Sequence, residues 1–418
     1  MLRIAWHTLR FRKISFAATF AALLVGAAIV TACGGLLESG LRATGGDAQR
    51  LRILAGVFSG WTALIVVFGV SSMIALTVQQ RHREISLLRA IGATQRQVRR
   101  MIVCETMVLA VLATGLSVAP GLLLGRVLVD AVAPAVEFHQ GWLPCVAGAV
   151  TALLAALGAG YVAGRRAGRT PGTDRLSRSR IALAVGFVAI GLSLGTVTVT
   201  AMHGLYAAST AGPASIWVAI GFALLAPAVV RRVGALLPPD RLVTQRTRVE
   251  FRQLASAVVP VTLASGIGIA TLYMQATEDS VNGGEDMGRT LSMGNYAVVT
   301  MVLGFAALIL VNTLVAATSR RRAEFGLLRV AGSTRTQVLR SLGTEALVVA
   351  VAGVAMGSVA SLATLLPFSI ARIGSAVPRG SVWIYVLVIG AAMVVTLTAT
   401  LWSTWRATRG RAITSLGS

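Results

Sequence analysis

Long apolar runs recur along the chain and constrain its fold more than any other feature of the sequence. An α-helix of about 20 apolar residues crosses the hydrocarbon core of a bilayer. Only 13% of the 418 residues are charged, whereas soluble domains carry about 25%. The sequence therefore predicts an all-α integral membrane protein. We predict ten spans, near residues 14–33, 53–78, 102–129, 142–163, 181–203, 214–230, 257–275, 296–318, 342–366 and 382–403.

The basic residues are distributed unequally between the two sides of these spans. With the amino terminus inside, seven of the 38 Lys and Arg lie outside and 31 lie inside. The outer seven are Arg42, Arg50, Arg52, Arg126, Arg289, Arg372 and Arg379. This asymmetry follows the positive-inside rule. The distribution of the charge, rather than its net value of +23, therefore predicts that both termini lie in the cytoplasm. Arginine outnumbers lysine 37 to 1, which favours GC-rich bacterial coding and hence a bacterial cytoplasmic membrane protein. Its basic surface would contact anionic lipid and not nucleic acid.

A segment on the predicted cytoplasmic side occurs twice, 240 residues apart. Residues 81–100 read RHREISLLRAIGATQRQVRR and residues 321–340 read RRAEFGLLRVAGSTRTQVLR, with ten of the 20 positions identical. The same offset aligns Glu105 with Glu345. Chance does not produce such a match over this length, so the chain contains an internal repeat.

The repeat divides the chain into three predicted parts. Residues 1–170 and 241–418 each hold a four-span repeat, and residues 171–240 hold two intervening spans. Corresponding points are six spans apart, an even number, so the two repeats face the same way. This organisation predicts a pseudo-two-fold axis along the membrane normal.

The pattern within 81–100 predicts a short helix followed by a turn. Ile85, Leu88, Ile91 and Val98 fall roughly at helical spacing. Gly92-Ala93-Thr94 then predicts a glycine helix stop and a threonine N-cap on the next helix. Two interpretations follow, a solvated basic connector or a docking surface. Both copies retain Glu and Leu-Leu-Arg in the same order, and this favours docking.

These segments resemble the signature of FtsX-like/MacB-type ABC transporter permeases. The resemblance lies in Arg83-Glu84-Ile85-Ser86-Leu87-Leu88-Arg89 followed by Gly92, and in the corresponding run of the second copy, and it covers both four-span units. It implies coupling helices that dock into an ATPase subunit. The residues implied in docking are Glu84, Leu88, Arg89, Gly92, Glu324, Leu328, Arg329 and Gly332. Ser86 departs from the usual glycine, and Ser72 stands where the second copy has Asn312.

The resemblance also implies partners. A Walker A loop needs the pattern G-x-x-x-x-G-K-[ST], and the single lysine, Lys13, lies outside any such pattern. The chain is therefore predicted to be no enzyme and to bind no cofactor or metal directly. ATP-Mg would be bound by two copies of a separate ATPase subunit, one at each repeated segment.

Two carboxylates are predicted at the inner membrane boundary, Glu105 and Glu345. An ionisable group in a span suggests a functional role. The alternative is an ion pair with an arginine of a surface helix, such as Arg10 or Arg252. Their shallow depth and their repetition favour the ion pair.

Two functions remain open at this point. The first is an ATP-driven permease that moves a lipophilic substrate, such as a drug, an antibiotic or a lipid. The second is a transmembrane relay that carries ATPase motion to partners at the outer surface. Only 34–52 and 276–295 are predicted as outer segments large enough for such partners. A secondary carrier is disfavoured because no carboxylate lies deep in a predicted span.

Overall fold

A computed structural model of the chain describes residues 13–167, 178–202, 207–236, 241–282, 286–319 and 334–408. In these ranges the chain forms eleven α-helices. They are α1 Lys13–Arg42, α2 Gly46–Gln80, α3 His82–Ala90, α4 Gln95–Val132, α5 Trp142–Ala167, α6 Arg178–Ala201, α7 Ala207–Leu236, α8 Arg241–Asn282, α9 Asp286–Ser319, α10 Arg335–Ile373 and α11 Val382–Thr408.

The predicted fold class is confirmed. Nine of the described helices are long and apolar enough to cross a membrane, and α9 contains a shorter apolar stretch, Val299–Val315. The ten long helices coincide with the ten predicted spans, and the described residues contain no β-strand. The remaining helix, α3, lies in the repeated segment 81–100.

The helix boundaries repeat with the same offset as the sequence. Two helix starts in the first repeat have counterparts 240 residues later. The pairs are the starts of α4 and α10 at Gln95 and Arg335, and of α5 and α11 at Trp142 and Val382. The sequence repeat is therefore also a structural repeat.

The outer segments differ from the loops that the sequence suggested. α1 continues to Arg42 and α2 begins at Gly46, so most of 34–52 is helical. Its turn contains Gly45, whose φ of 88° favours glycine. In the second repeat α8 runs to Asn282 and α9 starts at Asp286. The helices continue past the ends of the predicted spans because their backbone hydrogen bonds are still satisfied there. The segments that were expected to be loops are therefore largely helical.

The helices are grouped into two compact units. The first comprises residues 1–174 and 278–305, and the second comprises 175–277 and 306–418. The predicted division at residues 170 and 240 stays a prediction, since these units are defined by contacts and not by the repeat.

In the first unit, α1 packs against α2, α4 and α5. Close approach depends on glycines that face Thr31 from two helices. A Cβ at Gly121 would lie 3.0 Å from the Thr31 side chain, and one at Gly148 would lie 2.9 Å from the Ala27 carbonyl oxygen. Small residues are the usual means by which membrane helices approach closely.

In the second unit, α10 packs against α6, α7 and α11. It also meets α8, because a Cβ at Gly353 would lie 2.6 Å from the Val261 side chain. The Thr364 hydroxyl donates to the Ala211 carbonyl at 2.6 Å and accepts from the Ser215 amide at 3.1 Å, so it joins α10 to α7. The core includes Val258, Leu310 and Ala352.

Candidate functional site

The segment between α2 and α4 forms a helix and a turn, as predicted. α3 ends in a Schellman motif, in which the Ala93 amide donates to the Leu88 carbonyl at 2.9 Å and the Gly92 amide donates to the Arg89 carbonyl at 3.0 Å. Gly92 has a φ of 97°, a conformation that only glycine adopts readily. The glycine stop is therefore confirmed in the first copy.

The threonine N-caps are confirmed in both copies. The Thr94 hydroxyl accepts from the Gln97 amide at 3.3 Å, and the Gln97 side chain accepts from the Thr94 amide at 2.8 Å. Thr334 and Gln337 make the same two bonds at 3.3 and 2.9 Å. These are capping boxes, which satisfy orphan donors at a helix start. The third span of each repeat thus begins at a capped threonine.

The two faces of α3 differ in exposure. Ile85 is buried, Leu88 is half-buried, Leu87 is 68% exposed and Ile91 is 82% exposed. The side chains that recur at helical spacing therefore do not share one buried face. α3 ends at Ala90 and Ile91 is its C-cap, at the start of the turn, so the Ile91 side chain leaves the buried face. A pair of large apolar side chains consequently faces the solvent.

A buried ion-pair network anchors this segment to the span that follows. The Arg81 guanidinium donates to Glu105, and its Nε donates to Glu84 at 3.2 Å. Glu105 is only 2% exposed. Burial alone would lower the pKa of Arg81, but its hydrogen bonds to Glu105 and Glu84 and the charges of these carboxylates outweigh burial and raise it. Arg81 therefore stays charged and links the start of α3 to α4.

A small cavity of about 20 Å³, whose lining surface is mostly apolar, adjoins this network, and its volume accommodates about one water molecule. Thr19, Thr77, Arg81 and Glu105 line it, and the Thr19 and Thr77 hydroxyls are 2.8 Å apart. Oε1 of Glu105 is buried and has no hydrogen-bond partner among the described residues. The site therefore presents one carboxylate oxygen to a water-sized space between α1, α2 and α4.

The predicted site residues divide into two groups. In the first copy, Glu84 points towards Arg81, Leu88 is half-buried, and Arg89 and Gly92 are exposed. In the second copy, Glu324, Leu328, Arg329 and Gly332 lie outside the described residues. Glu345 is buried like Glu105, at 3% exposure.

Sequence reasoning anticipated an ion pair for Glu105 but not its partner, Arg81. Arg10, which was considered for that role, lies outside the described residues. The signal was available, because Arg81 and Arg321 are identical positions of the repeat. Leu87 was not predicted as a docking residue, although the repeat retains it as Leu327. Helical spacing alone did not show that Leu87, and not Leu88, is the exposed leucine.

Comparison with known protein families gives one match in each repeat. A family model described as FtsX-like permease C-terminal matches residues 56–171 and 296–411. The two matched ranges are again offset by 240 residues, and together they cover more than half of the chain. No curated protein matches the chain.

Proposed function

The chain belongs to the FtsX-like permease family of ABC transporter membrane subunits, and on that premise we propose that it is the permease of an ATP-driven transporter for a lipophilic substrate. Membrane subunits of this family are generally not enzymes. ATP-Mg binding and hydrolysis are therefore assigned to a separate ATPase, of which two copies dock, one at each repeated segment. The proposed location is the bacterial cytoplasmic membrane, with both termini inside.

The observation that carries the docking proposal is the exposed end of α3. Leu87 and Ile91 project large apolar side chains from a segment at the cytoplasmic end of the spans. Exposed apolar groups on a rigid support are typical of protein interaction sites. Docking would bury them, and each fully buried side chain of this size contributes about 1.5–3 kcal/mol. The basic residues around them suit an acidic groove on the partner.

The ion-pair network explains how movement of a docked partner would reach the membrane. A helix of nine residues such as α3 is not stable alone in water. Arg81, which immediately precedes α3, joins it to Glu105 in the third span, α4. A force on α3 is therefore transmitted to α4 through a charged, buried contact, and local bending of the connector is restricted.

The lipophilic substrate class is supported by the distribution of charge within the spans. Among the described spans, the carboxylates lie away from the helix centres, with Glu38, Asp130 and Glu278 towards the outer ends and Glu105 and Glu345 about ten residues into α4 and α10. A carrier driven by protons or sodium ions would need an acidic group along its path. A permease that extracts an apolar molecule from the membrane has no such need.

A specific observation also favours the relay as a second candidate. Leu41 and Val281, at equivalent positions on the outer projections of α1 and α8, are both exposed apolar residues. They offer a surface for an outer partner. Leu41→Arg with Val281→Arg would abolish signalling by a relay but would leave lipophilic export nearly unchanged.

The docking proposal is tested by co-purification of the tagged protein with its ATPase in mild detergent. Leu87→Arg with Ile91→Arg removes the first docking site, and we expect the recovered ATPase to fall by half because the second site remains. Adding Leu327→Arg removes the second docking site as well, and we then expect no ATPase to be recovered. Val377→Arg is the matched control, since it makes the same chemical change at an exposed apolar residue between α10 and α11, on the predicted outer side. Full recovery of ATPase with the triple variant would exclude docking at these segments.

A further inference from the structure

We propose that Arg99 and Arg165, held by Tyr161, bind the phosphate headgroup of an anionic phospholipid in the inner leaflet. This site goes beyond the transport function and does not depend on the identity of the substrate. It lies where α4 begins and α5 ends, at the cytoplasmic side of the first repeat.

Both guanidinium groups converge on one aromatic ring. The Arg99 Cζ lies 4.8 Å and the Arg165 Cζ 5.8 Å from the centroid of the Tyr161 ring, within the range of cation–π attraction. Neither arginine has a carboxylate partner among the described residues. Two like charges are thus held close together without a protein anion to neutralise them. A phosphate, with several acceptor oxygens, is the ligand that such a pair of arginines binds best.

The backbone of both helices fixes these side chains in place. A Cβ at Gly164 would lie 2.9 Å from Cγ of Arg99, so only a glycine at this position of α5 leaves room for the aliphatic part of the arginine side chain. The Gln95 side chain donates to the Arg165 carbonyl at 3.2 Å and joins the start of α4 to the end of α5. The two cations are therefore positioned by contacts that do not involve a ligand.

An apolar stripe on α5 indicates that the anion belongs to a lipid. Val150, Leu154, Leu157 and Tyr161 are all exposed and follow one another at helical spacing, and Arg165 continues the same face. In a membrane this stripe contacts acyl chains, and the arginines lie where the headgroups begin. Tyrosine at that level is typical of the membrane interface. A soluble anion has no acyl chain that would contact this apolar stripe.

The second repeat lacks the site, although it keeps the helices. The offset of 240 residues aligns Arg99 with Leu339, Tyr161 with Leu401 and Arg165 with Trp405. Gly164 is likewise replaced by Thr404. The cations are therefore not required by the shared permease fold, and the apolar residues of the second repeat supply ready-made substitutions for a test.

The test is native mass spectrometry of the full-length protein in detergent, titrated with phosphatidylglycerol or with phosphatidylcholine of the same chains. We expect preferential binding of phosphatidylglycerol. Arg99→Leu and Arg165→Trp should each weaken it about fivefold, and the double variant about 25-fold, as expected for basic residues near an anionic headgroup. Tyr161→Phe keeps the ring and should retain binding. Arg178→Leu, at an exposed arginine that begins α6, is the charge-matched control and should also retain it.

Three results would overturn the proposal. The first is unchanged phosphatidylglycerol binding by the double variant, and the second is an equal loss in the Arg178→Leu control, which would indicate a general charge effect. The third is full competition by millimolar inorganic phosphate, which would assign the site to a soluble anion. Unchanged phosphatidylcholine binding and gel-filtration elution of the double variant confirm that it is folded.

Discussion

The two repeats share the capped start of their third spans but differ in the glycines through which their first spans are packed. Thr94 and Thr334 make the same pair of capping bonds, and their third spans begin at equivalent residues. In the membrane, α1 is approached by α4 and α5 through Gly121 and Gly148, whereas α8 is approached by α10 through Gly353 and Gly357. The comparison shows that the capping geometry is the same in both repeats, whereas the glycines at the helix contacts occupy different positions.

At the opposite ends of the spans, the two repeats make equivalent contacts between a helix and a loop with different hydrogen-bonding groups. In the first repeat, Glu38 accepts from the Gly141 amide at 2.8 Å and Ser39 donates to the His139 carbonyl at 3.0 Å. In the second, Thr277 donates to the Arg379 carbonyl at 3.2 Å, and the Tyr273 hydroxyl donates to the Ser381 carbonyl at 3.2 Å. Each bond joins the first span to the loop before the fourth. A loop–helix contact can thus be kept while its hydrogen-bonding groups change.

The largest expected effect comes from the buried ion pair of the first repeat. Glu105→Leu leaves the charge of Arg81 buried without its main partner, and the expected loss is about 3–5 kcal/mol of stability. Arg81→Met combined with Glu105→Leu removes both charges and should recover most of that loss. Thermal unfolding in detergent measures both variants.

The equivalent ion pair can be tested in the second repeat. A double-mutant cycle on Arg321 and Glu345, the equivalent positions, should give the same coupling if the repeats use the same pair. Coupling confined to the first repeat would show that the two joints are not equivalent. Failure of the double variant to recover stability in the first repeat would contradict the ion pair itself.

Glycine substitutions are expected to have a smaller effect that depends on position. Three pairs of glycines four residues apart, Gly121/Gly125, Gly191/Gly195 and Gly353/Gly357, lie in close contacts, whereas no described residue comes within 4 Å of a Cβ at Gly56 or Gly60. Gly357→Ala would place a Cβ 2.7 Å from the Thr262 carbonyl oxygen and should destabilise by about 1–3 kcal/mol. Gly56→Ala should instead stabilise α2 by about 1 kcal/mol through helix propensity. Equal effects of the two substitutions on the unfolding midpoint would contradict this packing.

The smallest effect is expected at the caps, where the repeats should behave alike. Thr94→Ala and Thr334→Ala each remove one side-chain acceptor, and each should cost about 1 kcal/mol. Thr→Ser at the same positions keeps the hydroxyl and serves as the control. A loss at one position only would show that the shared capping geometry does not have a shared energetic role.

The sequence predicted the features that depend on local chemistry. Apolar runs located the ten long helices, Gly92 and Thr94 located the turn, and the offset of 240 residues located corresponding boundaries. These succeed because span length, positive φ and capping are properties of a few neighbouring residues.

Features that depend on tertiary contacts were not predicted. Arg81 lies 24 residues from Glu105, and no local pattern identifies it as the partner. The exposure of Ile91 depends on where α3 ends, which a helical-spacing argument does not define. The continuation of α1 to Arg42 was missed because polar residues in 34–52 suggested a loop, although a helix outside the bilayer tolerates them.

The central claim is that one chain provides two docking sites for an ATPase, and the mass of the intact complex tests it most directly. The native mass of the complex, purified from its own host in mild detergent, should correspond to one permease chain and two ATPase subunits. Leu87→Arg with Ile91→Arg should reduce this to one ATPase per chain. A complex that retains two ATPases in that variant, or that contains two permease chains for every two ATPases, would contradict the account.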